Sequence, residues 1–208
     1  NRPDHIPEKK TDIRMPDKNI KTLIEQTVQD SIAAKTEFFS TRAGQIESCA
    51  DRITAAIDDG HKILLFGNGG SAADCQHIAA EFINRFQMER RPLPAIALTT
   101  DTSVITSIGN DYSYEDIFLK QIQALGNKGD IAIGISTSGN SPNVVKAMEA
   151  ARAAGLVTIG FSGSGGTLKE LSDIAFCVDS PVTARIQEVH ILLAHILCDL
   201  VERKLFHG

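Results

Sequence analysis

At 208 residues, the chain is long enough to bury a hydrophobic core as one domain without help from disulfides or structural metals. Hydrophobic residues make up 42% of the sequence and charged residues 23%, proportions typical of a globular protein that folds in water. The formal net charge of -5 argues against a broad basic surface, and so against nucleic acid or an anionic membrane as a partner. Any anionic ligand therefore has to be held by a local site.

Cysteine usage and the polar beginning of the chain indicate the compartment and the domain boundary. Cys49, Cys75, Cys177 and Cys198 each lie within an apolar segment and show no CxxC spacing. This is typical of reduced thiols in a core, so we expect a cytoplasmic protein. No apolar run approaches the roughly 20 residues of a membrane span. Residues 1–18 contain three prolines and nine charged side chains, which predicts a mobile leader before a single domain over residues 19–208.

Two amphipathic helices are predicted before any strand. Leu23, Ile24, Val28 and Ile32 have the spacing of the first, and a similar series from Ile46 to Ile57 indicates a second that ends near Gly60. Five short apolar runs then alternate with helical stretches, over residues 62–66, 95–98, 131–135, 157–161 and 174–178. Runs without polar alternation are typical of strands buried on both faces. The sequence therefore predicts an α/β fold with a five-stranded parallel sheet flanked by helices.

The last predicted element is one long helix from Ala184 to Leu205. Apolar residues surround nearly its whole circumference, among them Ile186, Val189 and Leu193. A helix that is apolar nearly all round is buried, and we expect part of this surface to form a subunit interface.

Two Gly/Ser-rich segments follow predicted strands and open predicted helices: Gly67-Asn68-Gly69-Gly70-Ser71 and Ser136-Thr137-Ser138-Gly139-Asn140-Ser141. At the carboxyl ends of parallel strands, glycine lets the backbone approach a ligand, and a helix N-terminus offers free N–H groups to an anion. The alternative is that the hydroxyl residues merely cap helices. Four hydroxyls within the second segment favour a phosphate pocket. A third cluster, over residues 162–166, is interpreted as a structural loop.

His77 and Glu81 lie four residues apart on the helix after the first segment, so they share one face, with Cβ atoms within about 6 Å of each other. A histidine and a carboxylate at this spacing can bind a divalent metal or share acid/base work. They can equally form a plain surface hydrogen bond, and the spacing alone leaves these alternatives open. Asp74 lies near the same face, where the helix dipole already explains an acidic residue.

The final predicted helix carries Gln187, His190 and His195 among apolar neighbours, where polar groups are costly unless paired. Helical geometry places the two histidines about 140° apart, so both cannot easily face one site. The helical periodicity does not show which of the two histidines faces a site, and either can be a core histidine whose polar atoms are hydrogen-bonded.

The two Gly/Ser segments, the QHIAAEF segment from Gln76 to Phe82 and the RIQEVHILLAH segment from Arg185 to His195 together resemble the sugar isomerase, or SIS, domain family, and closely its phosphoheptose isomerases. The resemblance implies a SIS-type, flavodoxin-like sandwich. It also implies an aldose/ketose isomerase that converts sedoheptulose 7-phosphate to D-glycero-D-manno-heptose 7-phosphate, the first step of nucleotide-activated heptose biosynthesis. The family's homotetramers imply active sites between subunits.

The resemblance further implies roles for individual residues. Glu81 and His195 match the acid/base pair, and His77, Glu81, Gln187 and His195 match the ligands of one zinc ion per site. The implied substrate contacts are Asn68, Gly69, Gly70, Ser71, Asp101, Thr102, Ser136, Thr137, Ser138, Ser141 and Gln187. Many relatives have Asp where this chain has Ala184, a departure that bears on fine positioning.

These residue types suit the implied chemistry. Moving a proton between C1 and C2 through an enediol needs a carboxylate-like base, a second proton donor and stabilisation of charge. Zinc would polarise the enediolate oxygens, but a glutamate that ligates metal is a weaker base, so the two roles of Glu81 compete. The alternatives are a non-catalytic SIS protein that binds a replication initiator and a sensor that binds a sugar phosphate without turnover. Neither explains Glu81 together with His195.

Overall fold

The computed structural model describes residues 19–206, so the leader predicted over residues 1–18 lies outside the described residues. The strands are β1 (Ile63–Gly67), β2 (Ala95–Ala97), β3 (Ile131–Ser136), β4 (Val157–Ser162) and β5 (Ile174–Cys177). The α-helices are α1 (Ile20–Ser40), α2 (Ala43–Asp58), α3 (Gly70–Ile83), α4 (Thr102–Asp111), α5 (Leu119–Leu125), α6 (Pro142–Ala153), α7 (Thr167–Leu171) and α8 (Thr183–Phe206). A short 3-10 helix covers Tyr114–Asp116.

The five strands form one parallel sheet in the order β2-β1-β3-β4-β5. Each strand begins and ends within one residue of its predicted apolar run. The five-stranded parallel fold predicted from the sequence is therefore confirmed.

Helices cover both faces of the sheet, which explains why the strands lack polar alternation. In β1 every residue is buried. Ile63 and Leu65 pack into a core shared with α2, α3 and α8, while Leu64 and Phe66 pack into a second core shared with α5 and α6. Alternate side chains of one strand thus stabilise two helical layers.

The apolar surfaces of α8 and α1 differ in how far the chain itself buries them. Apolar residues along α8, such as Val189 and Leu193, are buried in the chain's own core. In α1, the face predicted to be apolar stays exposed, with 47% of Leu23 and 59% of Ile24 accessible. The large exposed apolar face therefore lies on α1, whereas these α8 residues are covered by the chain itself. The subunit interface expected on α8 stays a prediction. None of the described helices is both long and apolar enough to cross a membrane.

The chain reverses direction across the sheet at β1. From β1 it proceeds to β2 on one side, and it then crosses over to β3 on the other side. In open parallel sheets, ligands bind in the crevice outside the carboxyl ends of the strands at such a switch point. Gly67, the last residue of β1, lies opposite Ile135 of β3, so both Gly/Ser-rich segments begin at this crevice.

Candidate active site

The turn between β3 and α6 gathers three serine hydroxyls, and we call residues 136–141 the serine turn. The Ser136 hydroxyl lies 2.9 Å from that of Ser141 and 3.3 Å from that of Ser138. Ser141 stands at the N-cap of α6, but its side chain makes no capping hydrogen bond. Simple capping therefore does not describe this residue. The clustered hydroxyls and the N-terminus of α6 can together bind a phosphate group.

The loop after β4 braces the serine turn. Gly139 has a φ of 68°, and a side chain at this position would collide with the backbone of residues 162–166. The Gly139 carbonyl accepts a hydrogen bond of 2.9 Å from the amide of Leu168. The Thr137 carbonyl accepts one of 3.0 Å from the amide of Gly163. The sequence indicated that this loop is structural, and it packs directly against the serine turn, the candidate phosphate-binding site.

Asn68, in the turn after β1, has its amide fixed by two other side chains. Asn68 and Asn143 exchange two hydrogen bonds of 2.9 Å, and the Tyr114 hydroxyl donates to Asn68 Oδ1 at 3.2 Å. Ser71 is buried in the first turn of α3. Sequence reasoning missed Asn143 and Tyr114 because neither carries a local signal that links it to Asn68.

The N-terminus of α3 lies against α8. Gly69 is the N-cap of α3 and Gly70 is its first residue. A Cβ atom on Gly70 would lie 2.5 Å from the side-chain nitrogen of Gln187. The absence of a side chain at Gly70 therefore makes room for the amide of Gln187.

Helices α3 and α8 bring His77, Glu81 and His195 together within one chain. His77 Nε2 lies 2.9 Å from His195 Nε2 and 3.4 Å from Glu81 Oε1. In a hydrogen bond between the two imidazoles, one Nε2 atom donates and the other accepts, and the tautomers of the two rings decide which does so. About half of the His77 side chain is exposed, which leaves the cluster open to a ligand.

Asp74 completes this face of α3. Burial raises the pKa of the Asp74 carboxyl, while His77 and His195 in their charged forms act in the opposite direction. In the sequence, the helix dipole already explained an acidic residue here, and in the structure the charges of the two imidazoles also act on its carboxyl. Asp74 therefore influences the electrostatics of the cluster that His77, Glu81 and His195 form.

His190 faces away from this cluster, in agreement with the helical spacing, which indicated only that the two histidines cannot easily face one site. Its Nε2 atom donates to the Ser162 carbonyl at 3.0 Å, and its ring lies 5.6 Å from that of Phe161. Burial lowers the pKa of His190 to about 4, partly offset by the hydrogen bond to Ser162. His190 is a neutral core histidine, whereas His195 lies in the candidate site.

Asp101 and Thr102 lie where β2 passes into α4. Asp101 accepts a hydrogen bond of 3.0 Å from the amide of Val104 and so caps α4, and Thr102 is the first residue of that helix. No side-chain hydrogen bond joins either residue to the serine turn within residues 19–206. The capping hydrogen bond uses one carboxylate oxygen of Asp101. That Asp101 and Thr102 contact the substrate stays a prediction.

Behind His195 lies a buried ion pair that sequence reasoning missed. The phenyl ring of Phe86 stacks on the His195 imidazole with centroids 5.6 Å apart. Phe86 belongs to the loop after α3. Glu202 of α8 fixes this loop through a 2.9 Å ion pair with Arg90, which lies in the same loop. Burial raises the pKa of Glu202, but hydrogen bonds from three loop amides and Arg90 outweigh it and leave the pKa below its usual value. No local motif marks this pair, because its partners lie far apart in the sequence.

A SIS domain is the class of protein that this fold and this site define. A sequence profile described as "SIS domain" matches residues 28–163 of the chain. This match begins in α1 and ends just after β4, so it includes both Gly/Ser-rich segments.

Known phosphoheptose isomerases resemble the chain over most of its length. That of Nitratidesulfovibrio vulgaris is 57% identical over 187 residues, which cover 89% of each chain. A solved structure from Francisella tularensis superimposes with a TM-score of 0.86 at 39% identity, covering 89% of this chain and 100% of the other. The structure from Neisseria gonorrhoeae has a TM-score of 0.82 at 42% identity, with coverages of 88% and 99%. The chain therefore belongs to the phosphoheptose isomerase family of SIS domain proteins.

Proposed function

We propose that this protein is an isomerase that converts sedoheptulose 7-phosphate to D-glycero-D-manno-heptose 7-phosphate, the first step of nucleotide-activated heptose biosynthesis. The observation that carries the proposal is the meeting of Glu81 and His195, both within 3.4 Å of His77 Nε2, beside the switch point of the sheet. A sugar-phosphate sensor or a protein that binds a replication initiator would need no such acid/base pair. The geometry therefore favours the enzyme.

The two ends of the substrate bind different elements. The phosphate is held by the hydroxyls of the serine turn and the N-terminus of α6. The reacting carbons C1 and C2 lie at the far end of the seven-carbon chain, where Glu81 and His195 can reach them. The amide of Asn68, held by Asn143, is available to orient the hydroxyls between these ends.

Glu81 and His195 can carry both proton transfers. Glu81 takes a proton from C1 of the ketose while His195 donates a proton to the carbonyl oxygen on C2, which forms the enediol. Glu81 then returns its proton to C2, and His195 recovers a proton from the hydroxyl on C1. The product has an aldehyde at C1, and both side chains regain their starting protonation.

We also propose one zinc ion per site, held by His77, Glu81, Gln187 and His195. Two imidazoles and a carboxylate are a common zinc donor set. No group of three His, Cys, Asp or Glu side chains in residues 19–206 is already arranged as a metal centre. The two Nε2 atoms lie 2.9 Å apart, whereas tetrahedral ligands at 2.0–2.1 Å from zinc are separated by about 3.3 Å. The two rings would therefore have to move slightly apart to hold the ion, which when bound would polarise the enediolate oxygens.

An isomerase assay with sedoheptulose 7-phosphate in deuterated water tests the function. We expect the aldose phosphate to form and solvent deuterium to enter at the reacting carbon, since the proton passes through Glu81. Binding of the sugar phosphate without product or exchange would instead establish a sensor.

The zinc proposal is tested on protein purified without added metal. Elemental analysis should find roughly one zinc per chain, and His77→Ala should lose it. Glu89→Gln, at an exposed position on the neighbouring loop, should keep it. Full activity of metal-free protein after chelation would refute the proposed role of zinc but not that of the acid/base pair.

The assembly we propose is a homotetramer with active sites between subunits. α1 is attached to α8 by polar contacts, since Ser31 donates to Glu188 and Arg185 donates to the Thr27 carbonyl, each at 2.6 Å. Its exposed apolar face remains available to a second copy. Sedimentation equilibrium should show four chains, and Ile24→Glu on that face should dissociate them.

The compartment we propose is the cytoplasm. All four cysteines are free thiols, and three of them are buried. Burial raises the pKa of Cys49 to about 12, which keeps this thiol protonated and unreactive. Such thiols suit a reducing compartment.

A further inference from the structure

Residues 84–91, the first part of the loop between α3 and β2, are tied to α8 by one carboxylate. Glu202 accepts hydrogen bonds from the amides of Phe86, Gln87 and Met88 at 3.0, 2.8 and 3.0 Å. Its ion pair with Arg90 is almost fully buried, with 1% and 2% of the two side chains exposed. Glu202 therefore fixes the backbone of this loop at three consecutive residues.

Arg90 extends the same network to the helix that carries Glu81. Its guanidinium donates to the Glu81 carbonyl at 2.8 Å and to the Phe82 carbonyl at 2.7 Å. These are among the last carbonyls of α3, which have no partner within the helix. The position of the Glu81 backbone is thus set by the side chain of Arg90.

Phe86 extends the network to the other member of the pair. Its ring is nearly parallel to the His195 imidazole, with an angle of 25° between the planes. His195 and Glu202 are seven residues apart on α8 and therefore share one face of it. The loop lies along that face, held by Glu202 at one end and touching His195 at the other.

We propose that Arg90 and Glu202 are positioning residues for the acid/base pair, setting Glu81 through its backbone and His195 through the Phe86 ring. The proposal rests on the isomerase function proposed above. For stability alone, a buried ion pair is a poor device, because apolar residues of similar volume often serve as well or better. What this pair supplies is a set of directional hydrogen bonds between the two helices that bear the reacting groups.

Glu202→Gln tests this proposal, because the amide keeps the shape but loses one acceptor and the charge. Asp130→Asn is the matched control. Asp130 is a buried carboxylate just before the central strand β3, at the amino ends of the strands and so away from the crevice. It accepts from the Lys62 amide at 3.0 Å and from the Asn127 amide at 2.8 Å, and it pairs with the Lys62 ammonium. Both variants should lower the melting temperature. At a temperature where both are folded, we expect kcat to fall about tenfold or more only in Glu202→Gln, since small misplacements of reacting groups are costly.

The inhibition constant of inorganic phosphate separates positioning from general damage. Phosphate binds at the serine turn, which the loop does not touch, so its inhibition constant should stay within about twofold of wild type in both variants. An unchanged kcat in Glu202→Gln, or an equal loss in Asp130→Asn, would overturn the proposal.

Two further variants test the Arg90 and Phe86 connections separately, and they replace Glu202→Gln as the test if that variant does not fold. Arg90→Lys keeps the charge opposite Glu202 but cannot reach both helix carbonyls, and Phe86→Leu removes the stacked ring. Each should lower kcat without changing phosphate inhibition. Wild-type values for both would refute positioning.

A readout independent of turnover uses histidine labelled with carbon-13 at Cε1. The His195 signal, assigned with His195→Gln, should lose the ring-current shift of Phe86 in Phe86→Leu and Glu202→Gln but not in Asp130→Asn. An unmoved signal in Glu202→Gln would overturn the proposal. If the wild type failed to isomerise the sugar, the function would fall while this measurement still decided the role of Glu202.

Discussion

The two ends of the candidate site are built in opposite ways. The serine turn consists of six consecutive residues, and its shape is held by a loop that lies directly against it. The acid/base end joins His77 and His195, which are 118 residues apart, and its supports come from still other elements. A phosphate pocket can thus be encoded locally, whereas the geometry of a proton transfer depends on how two helices are fixed to each other.

The largest effect should come from breaking the acid/base end. Glu81→Gln keeps the shape but removes the proposed base, so we expect kcat to fall by about 10² to 10⁴ with little change in stability. Glu89→Gln, on an exposed carboxylate that lies 3.7 Å from Arg85, is the control and should leave kcat unchanged. Wild-type turnover in Glu81→Gln would remove this residue from the mechanism.

A smaller effect is expected at the phosphate end. Ser138→Ala should weaken the binding of substrate and inorganic phosphate together by about 1 to 3 kcal/mol, the value of a hydrogen bond to a charged group. Ser164→Ala changes an exposed serine in the loop after β4 and should leave the binding of both ligands unchanged. The measurements are KM, the phosphate inhibition constant and the melting temperature. If Ser138→Ala lowered only the melting temperature, the serine turn would be a cap and not a pocket.

The smallest effect on activity concerns the brace beneath the serine turn, where we expect a pH dependence of stability and an unchanged kcat at neutral pH. The pKa of His190 is about 4 in the folded protein, against about 6.5 in an unfolded chain. Between these values the unfolded state binds more protons, so the free energy of unfolding should fall by up to about 1.4 kcal/mol per unit as the pH decreases. Denaturant titrations between pH 6.5 and 4 measure this slope.

His190→Gln should flatten that slope over the same pH range while leaving kcat at neutral pH intact, since His190 touches Ser162 and not the acid/base pair. A slope equal to that of wild type would mean that another group titrates.

The sequence predicted the features that depend on nearby residues. Apolar runs located all five strands, and the i, i+4 spacing correctly placed His77 and Glu81 on one face. The choice between His190 and His195 required the family resemblance, because helical angles show only that they diverge. Arg90 and Glu202 escaped altogether, since a charged residue in a loop and another near a helix end look like ordinary surface residues until the fold buries them.

The same limit explains α1. Its apolar spacing predicted a helix correctly, but a series such as Leu23 and Ile24 looks identical whether the chain itself or another copy covers it. Only the packing of α8 against α2 and α3 shows which apolar surface is already used.

Gly70 has a consequence for protein engineering. Its φ is not positive, so a designer seeking stability would select it for replacement by alanine, a change that commonly contributes about 0.4 to 1 kcal/mol where the backbone allows it. Here the added methyl group would act as a wedge against Gln187, displacing a proposed zinc ligand while leaving every reacting group unaltered. A glycine that appears dispensable thus works as a spacer between two helices, and optimising the helix at this point would trade against the site that it helps to form.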